Sequence, residues 1–244
     1  GTRNVTEYGK QVCENLVKEL ISDNVIIVSG LAYGVDITAH KSALANNIQT
    51  IAVLAHGLDR VYPAEHKATA TKMLDYGALI TEFPSKTIPD RENFPKRNRI
   101  VAGLIDALVV IESGKKGGAL ITADIANSYN RDVFAVPGRN SDEMSAGCNF
   151  LIKTNRAALI ESASDIRYLL GWEENKAPQK KIQRQLFVEL PPEEKQLFEL
   201  LQSKGEQGID EICLELNLPM SKVSASLLNL EFEGIIKTLP GKRY

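Results

Sequence analysis

The 244-residue sequence is poor in cysteine, has little net charge and contains no long hydrophobic run. Its three cysteines, Cys13, Cys148 and Cys213, are too far apart in the sequence to form a metal-ligand pair, and so few thiols fit a reducing compartment. Apolar stretches such as Ala107–Ile111 are far shorter than the ~20 residues that a membrane-spanning helix needs. The first residues also lack the apolar core of a signal peptide. We therefore expect a soluble, cytoplasmic protein without a membrane span.

The charge balance excludes a strongly basic nucleic-acid-binding domain, because 29 Lys and Arg residues meet 31 Asp and Glu residues. Any site for a polyanion must therefore be local. A hydrophobic content of 43% and a charged content of 25% are close to the average of folded globular proteins and exclude a wholly disordered chain. At ~150 residues per domain, the length allows one large domain or an ordinary domain with a small one.

Residues 1–172 alternate short apolar runs with amphipathic stretches, which is typical of parallel strands joined by crossover helices. The strand candidates are Val25–Val28, Thr50–Leu54, Ala78–Thr81, Ala107–Ile111, Val133–Val136 and Ala158–Ile160. The helix candidates are 6–22, 35–46, 64–75, 97–104, 118–129 and a last one that begins with Ser164 as its N-cap. Because the main strand candidates are continuously apolar, we expect them to be buried on both faces. The pattern predicts an α/β fold with a doubly wound, mostly parallel sheet.

The sequence changes character after residue 172. Residues 173–192 combine charged residues and prolines without a regular period, and we interpret them as a linker, with Leu186–Val188 as its candidate docking residues. Three helical patterns follow, at 193–202, 209–216 and 221–233, and the last is expected to be capped at Ser221. Residues 235–243 resemble a short β-wing. Residues 193–244 are therefore predicted to form a small winged-helix domain.

Two glycine-rich segments each lie between a strand candidate and a helix candidate. The first is Ser29–Asp36 and the second is Gly114–Ala123. Backbone amides at a helix N-terminus favour phosphate oxygens, and glycine lets a ligand approach the backbone closely. In a doubly wound sheet both segments would open at the carboxyl ends of the strands, where ligands bind. Neither has a complete dinucleotide or P-loop fingerprint, so a phosphate site and a plain turn are both open at each position.

A third segment, Arg91–Arg99, contains four basic residues, one glutamate and one phenylalanine. Lysine and arginine neutralise phosphates, and Phe94 offers a ring on which an unpaired base can stack. This combination suits single-stranded nucleic acid, although a solvated helix face is the alternative for such a run of charges.

Catalytic and metal-binding patterns are missing from the sequence. The three histidines, His40, His56 and His66, have no carboxylate or cysteine at ligand spacing, so no metal site is expected. No nucleophile elbow is present either. The carboxylates that could act as bases more often cap helices or pair with arginines; they are Asp36, Glu82, Asp106 and Asp124.

Six sequence motifs occur in one fixed order. They are Ser29–Asp36 with Ala39–His40, Tyr62–Pro63, Gly77–Glu82, Asn93–Gly103, Gly117–Ala123 and Phe134–Gly138. Together they resemble the DNA-processing protein A family (DprA, also called Smf), over residues 1 to about 172. The winged-helix pattern is similar to the small domain that many members carry. The resemblance implies an extended Rossmann domain that binds single-stranded DNA, with no cofactor and no catalytic step.

The resemblance also implies a place in natural transformation, where members protect incoming single strands, help to load a RecA-type recombinase and commonly form homodimers. Carried over by position, the DNA-binding residues are Ser29, Gly30, Tyr33, Gly34, Phe94, Lys96, Arg97, Asn98, Arg99, Gly117, Gly118 and Thr122. We add Lys115 and Lys116 from their charge and position. One of the two arginines, Arg97 or Arg99, could instead hold the loops together.

The sequence departs from the family pattern in two places. Tyr33 stands where many members have a basic residue, so we expect it to stack on a base rather than contact a phosphate. In the family a first strand precedes the position of Gly1, so we expect the sequence to be truncated at its N-terminus. In the third helical pattern of the winged helix, Lys222 stands against two glutamates, so we expect this domain to bind protein rather than read duplex DNA.

Two other functions stay open from the sequence. One is a nucleotide-processing enzyme that resembles the phosphoribohydrolases, but Gly117–Thr122 lacks the proline and the third glycine of their loop, and Asp124 only approximates their glutamate. The other is a transcription regulator whose Rossmann-like domain senses a small ligand, which would prefer duplex DNA.

Overall fold

The computed structural model describes residues 1–172, 190–239 and 241–244, which divide into two compact units, Gly1–Ile166 and Arg167–Tyr244. The predicted linker lies almost entirely outside the described residues, and its candidate docking residues, Leu186–Val188, lie outside them completely. Within the described ranges, no helix combines the length and the apolar character that a membrane span requires.

Strands and helices alternate through residues 1–172, as the sequence predicts. The strands are β1 (Ile26–Ser29), β2 (Gln49–Val53), β3 (Gly77–Ile80), β4 (Ala107–Val110), β5 (Asp132–Ala135) and β6 (Ala158–Leu159). The helices are α1 (Glu7–Glu19), α2 (Val35–Ala45), α3 (Lys67–Tyr76), α4 (Asn93–Leu104), α5 (Gly118–Ser128), α6 (Ala146–Lys153) and α7 (Ala163–Leu169). The predicted Rossmann-like α/β architecture is confirmed.

The strands form two parallel sheets. One has the order β1-β2-β3 and the other the order β4-β5-β6, and every pair of neighbours is parallel. The expectation that all the main strands are buried on both faces is wrong, because only β2 and β5 are largely buried. β1, β3 and β4 lie at sheet edges and are half-buried for most of their length. A continuous apolar run therefore does not distinguish a central strand from an edge strand here.

The segment 1–6 connects the ends of the two sheets. The Thr2 N–H donates to the carbonyl of Glu112, just beyond β4, at 2.8 Å, and the Thr2 carbonyl accepts from the N–H of Val35 at 3.1 Å. The Glu112 carboxylate, in a residue only 2% exposed, accepts from the N–H of Thr6 at 2.9 Å and from its hydroxyl. The Thr6 oxygen in turn accepts from the Gly9 N–H and caps α1. This segment thus lies at the carboxyl ends of both β1 and β4.

Apolar side chains from both sides of the sheets form the cores. Around the first sheet the core residues are Leu31, Ile37, Ala52, Leu54, Ala70 and Met73. Around the second they are Ala102, Val110, Ala123, Ala126, Val133, Ala135, Cys148, Leu151 and Ala157. Burial of these residues against the flanking helices fixes where the strands end, and so fixes the positions of the loops that follow them.

Several predicted boundaries differ from the structure. The α4 helix starts at Asn93 rather than 97, so most of the basic segment is helical. Pro95 is tolerated there because the first turn of a helix has N–H groups without intrahelical partners. Helix α7 starts before Ser164, and the cap is made instead by the Asp165 carboxylate, which accepts from the N–H groups of Glu161 and Ser162 at 2.7 and 2.9 Å. Helix α6 is a further element that the sequence analysis did not predict.

Within residues 190–239 and 241–244, the second unit contains three helices and a minimal wing, which confirms the winged-helix prediction. The helices are α8 (Pro192–Lys204), α9 (Ile209–Leu216) and α10 (Met220–Phe232). Arg243 bridges to both Gly208 and Leu239 in antiparallel fashion. The core consists of Leu197, Ile209, Ile212, Val223, Leu227 and Leu230. Helix α10 begins one residue before Ser221, so that residue is not its N-cap.

Candidate nucleic-acid interface

The first glycine-rich loop, 29–34, follows β1 and is held by hydrogen bonds to protein groups. The Asp36 carboxylate accepts from the N–H groups of Gly30 at 3.1 Å and of Ala32 at 3.4 Å. The carbonyl of Leu31, a residue with no exposed surface, lies 2.8 Å from His66 Nδ1. Two of the amides that the sequence offered to a phosphate are therefore bound by a protein carboxylate.

Arg97 lies beneath this loop and is only 4% exposed. Its guanidinium donates to the carbonyl of Gly30 at 2.8 Å and to the carbonyl of Val53 at the end of β2. Burial lowers the pKa of Arg97, and the negative charge of Asp36 opposes that shift. A Cβ at Gly30 would collide with this guanidinium, so a larger residue there would have to displace Arg97. The structure thus places Arg97 as a residue that holds the loop, the alternative role that the sequence left open.

Gly34 meets the N-terminal segment directly. It has a φ of +77°, in the region that favours glycine, and a Cβ would collide with the backbone of Thr2 and Arg3. Gly34 therefore lets the segment 1–6 pass close to the start of α2. This close approach carries Arg3, an exposed residue, to the same edge of the first sheet.

A group of aromatic and cationic side chains surrounds Phe94, which is half-buried. The Arg3 guanidinium carbon lies 4.8 Å from the centroid of the Phe94 ring, and the Arg97 carbon lies 6.0 Å from it. The Tyr62 ring is 6.4 Å from Phe94 between centroids and is tilted by 51°. Because Arg3 already stands over Phe94 while Tyr62 is 45% exposed, Tyr62 presents the more open aromatic surface.

Arg3 and Tyr62 are site residues that the sequence analysis did not select. Tyr62 stands in one of the six family motifs, but it is 32 positions before Phe94, and no local pattern joins the two. Arg3 is an isolated arginine near the first residue. Only the fold brings them together.

Tyr33, within the first loop, is 42% exposed. Its hydroxyl donates to the Glu65 carboxylate at 2.9 Å, and its ring makes an edge contact with His66 at 5.0 Å between centroids. The bond to Glu65 raises the pKa of Tyr33 above its ordinary value, so the side chain stays uncharged at neutral pH.

The outer face of α4 carries two exposed cations, Lys96 and Arg99. Together with Glu82 and Phe83 they line an open cavity of about 270 Å³. Arg99 forms an ion pair with Glu82, whereas Lys96 has no ion-pair partner within the described part of the chain. Asn98, on the inner side, accepts from Arg97 Nε at 3.1 Å and so supports the buried arginine.

The second glycine-rich loop, 114–118, joins β4 to α5. Its Gly117 N–H donates to the Gly114 carbonyl at 3.1 Å, and the two lysines between them, Lys115 and Lys116, are exposed. Thr122 is 8% exposed and its hydroxyl donates to the carbonyl of Gly118 at 3.3 Å, so it supports the first turn of α5. Within the described ranges, no hydrogen bond joins the two loops; the segment 1–6 bonds to Val35, just after the first loop, and to Glu112, just before the second.

The carboxylate that the phosphoribohydrolase hypothesis requires is occupied. Asp124, on α5, forms an ion pair with Arg156. Among residues 1–172, 190–239 and 241–244, no group of three or more His, Cys, Asp or Glu side chains could hold a metal ion.

The exposed face of α10 in the winged helix is poor in free positive charge. Lys222 pairs with Glu193 of α8 at 3.0 Å. Phe232 is 81% exposed and Leu228 is 50% exposed, and Glu231 lies beside them. This face differs from a helix that reads duplex DNA, in which basic residues dominate.

Comparison with known proteins gives two family matches. The model of the DNA recombination-mediator protein A family matches residues 1–171, and the DprA winged helix domain model matches residues 184–242. A putative DNA processing protein DprA of Mycobacterium tuberculosis is 38% identical over 242 residues, which cover 99% of this chain and 62% of that protein. The chain thus spans less than two thirds of the length of this relative.

Two solved structures are similar to about 70% of this chain. DNA processing protein A of Streptococcus pneumoniae has a TM-score of 0.64 and 37% identity, covering 69% of this chain and 59% of that one. DNA processing protein A of Helicobacter pylori, described with a unique single-stranded DNA binding mode, has a TM-score of 0.64 and 31% identity, covering 70% and 78%.

Proposed function

The chain belongs to the DNA recombination-mediator protein A family, and we propose that its Rossmann-like part binds single-stranded DNA at the carboxyl ends of the strands. The observation that carries this proposal is the meeting of exposed cations with exposed aromatic rings at this edge. Arg3, Lys96 and Arg99 supply positive charge, and Tyr33 and Tyr62 supply open rings. Single strands need both groups, because their phosphates are neutralised while their unpaired bases stack.

We assign different tasks to the exposed and the buried residues of this site. Lys96, Arg99 and the two loop lysines, Lys115 and Lys116, contact phosphates, since their ammonium and guanidinium groups face solvent. Bases stack on Tyr62 and Tyr33, while Phe94 supports Arg3 from behind. Arg97 and Asn98 act as positioning residues beneath them.

The remaining predicted contacts are backbone positions. Ser29, Gly30, Gly34, Gly117 and Gly118 shape the two loops and allow the strand to approach. Thr122 stabilises the start of α5 below the second loop. We propose that the phosphates follow these two loops from one sheet to the other, across the segment 1–6.

In the cell, this activity fits a non-catalytic DNA-processing protein of natural transformation. It would act in the cytoplasm, protect incoming single strands, and load a RecA-type recombinase onto them as a homodimer. Residues 1–172 would form the DNA-binding domain, and residues 193–244 a winged helix whose apolar α10 face, with Leu228 and Phe232, binds protein rather than duplex DNA.

Fluorescence anisotropy with labelled oligothymidine tests the proposed binding. We expect binding that weakens steeply with salt, because each neutralised phosphate releases a counterion, and that an unlabelled duplex fails to displace. A duplex that competes as well as oligothymidine would instead favour a transcription regulator. Release of a free base from nucleoside monophosphates by the same protein would revive the phosphoribohydrolase hypothesis.

A further inference from the structure

A carboxylate stands inside the proposed phosphate-binding cavity. Glu82, just after β3, lines it together with Phe83, Lys96 and Arg99 and forms an ion pair with Arg99. Both partners are partly exposed, with 32% of the Glu82 side chain and 53% of the Arg99 side chain accessible. A negative charge at this position repels a phosphate and already occupies the guanidinium that would bind it.

We infer that Glu82 competes with the DNA phosphate for Arg99. It orders the Arg99 side chain in the free protein and limits how tightly the site binds a single strand. The inference rests on the proposed function. A carboxylate and a phosphate present similar oxygen acceptors to an arginine, so a phosphate can take the place of the Glu82 carboxylate on Arg99. Lys96, which has no ion-pair partner in the described ranges, is then the first contact of the incoming phosphate.

The exposure of the pair is what makes the exchange feasible. A buried ion pair would leave an uncompensated charge when broken, whereas an exposed one contributes little and is readily solvated. After exchange, the Glu82 carboxylate faces the open cavity and water. The ion pair therefore lowers the affinity of the site for single-stranded DNA. A strand bound in this way can be released to a recombinase.

The test compares Glu82→Gln with a matched control, Glu92→Gln, in the full chain. Glu92 is an exposed glutamate at the start of α4, the helix that carries Arg99, and it has no ion-pair partner within the described residues. Its replacement therefore removes the same charge without freeing Arg99. Oligothymidine affinity is measured by anisotropy at several salt concentrations for both variants and for wild type. Circular dichroism melting confirms that both variants fold.

We expect Glu82→Gln to bind oligothymidine about three- to fivefold more tightly than wild type, the effect of releasing one exposed ion pair. The dependence of log affinity on log salt should stay close to that of wild type, because Arg99 contacts the same phosphate in both proteins once the strand is bound. Glu92→Gln should change affinity by less than about twofold, because solvent and salt screen an unpaired charge. In an Arg99→Ala background, Glu82→Gln should have no more effect than Glu92→Gln.

If wild type binds oligothymidine and the two variants Glu82→Gln and Glu92→Gln bind it with equal affinity, the competitor role of Glu82 is overturned. The proposed function would then still stand. Weaker binding by Glu82→Gln would overturn the competitor role as well, because the carboxylate would then be supporting the DNA-bound state. Failure of wild type and of every variant to bind at low salt would overturn the proposed function and this inference together.

Discussion

The buried layer beneath the loops and the exposed face above them use the same residue types for different purposes. Arg97 and Arg99 are two positions apart on α4, yet the first is 4% exposed and bonds to protein carbonyls, while the side chain of the second is 53% exposed. Asp36 likewise binds loop amides from below, whereas Glu82 lies in an open cavity. Charge alone therefore does not distinguish a residue that supports the loops from one that is exposed to a ligand; burial and hydrogen-bond partners make that distinction.

The largest effect is expected in the buried layer, from Arg97→Ala. Its loss leaves the buried carbonyls of Gly30 and Val53 without their donor and removes the positive charge that Arg97 places near Asp36. We expect this to cost about 3 kcal/mol of the free energy of unfolding. Chemical denaturation measures this change, with Arg99→Ala as the control, for which we expect a change within about 0.5 kcal/mol. If Arg97→Ala and Arg99→Ala have similar free energies of unfolding, the buried residues would not contribute more to stability than the exposed ones.

The second prediction concerns His40, a fully buried residue whose pKa is lowered to about 4. Burial is the main cause; the negative charge of Asp36 opposes it, and the positive charges of Arg97 and His66 add to it. Its Nδ1 lies 2.7 Å from the Thr50 hydroxyl, whose proton goes to the Ile27 carbonyl, so the neutral ring must donate from Nδ1.

Because the unfolded chain takes up this proton near pH 6.5 and the folded one only near 4, stability is complete above pH 6.5 and falls as the pH drops toward 4. At pH 5 the loss is about 2 kcal/mol relative to pH 7. Denaturation at both pH values should show this extra loss in wild type and not in His40→Gln. The same pH dependence in both proteins would show that another group is responsible.

On the exposed face, Lys96→Ala combined with Arg99→Ala should weaken oligothymidine binding about tenfold at low salt, or about 1.4 kcal/mol. The salt dependence should become shallower by about 1.4, because two phosphate contacts are lost. The melting temperature should stay close to that of wild type, since both side chains are exposed. Unchanged affinity in a folded double variant would remove α4 from the interface.

The smallest effect is expected from Tyr62→Ala, which removes a stacking ring without removing charge. The affinity for oligothymidine should fall about fivefold, or about 1 kcal/mol, while the salt dependence stays the same. Tyr62→Phe should keep the wild-type affinity, because the ring does the stacking. An abasic oligonucleotide should bind wild type and Tyr62→Ala equally, and a remaining difference there would argue against stacking.

The sequence predicted the Rossmann-like architecture, the strand order along the chain and the winged helix, because periodicity and glycine placement are local properties. It did not predict that Arg97 is buried, since its neighbours Lys96 and Arg99 look the same in sequence. The sequence also did not predict the contacts of Arg3 and Tyr62 with Phe94. The close approach of the segment 1–6 at Gly34 brings Arg3 to Phe94, and the fold brings Tyr62 to it across 32 positions. Contacts between distant segments depend on the assembled sheet edge.

Hydrogen–deuterium exchange of the full chain, with and without saturating oligothymidine, tests most directly where the single strand binds. We predict slower exchange at residues 29–34, at the first turn of α4 and at 114–118, and unchanged exchange in α10. Protection confined to residues 192–239, with none at the two loops or α4, would contradict the proposed interface.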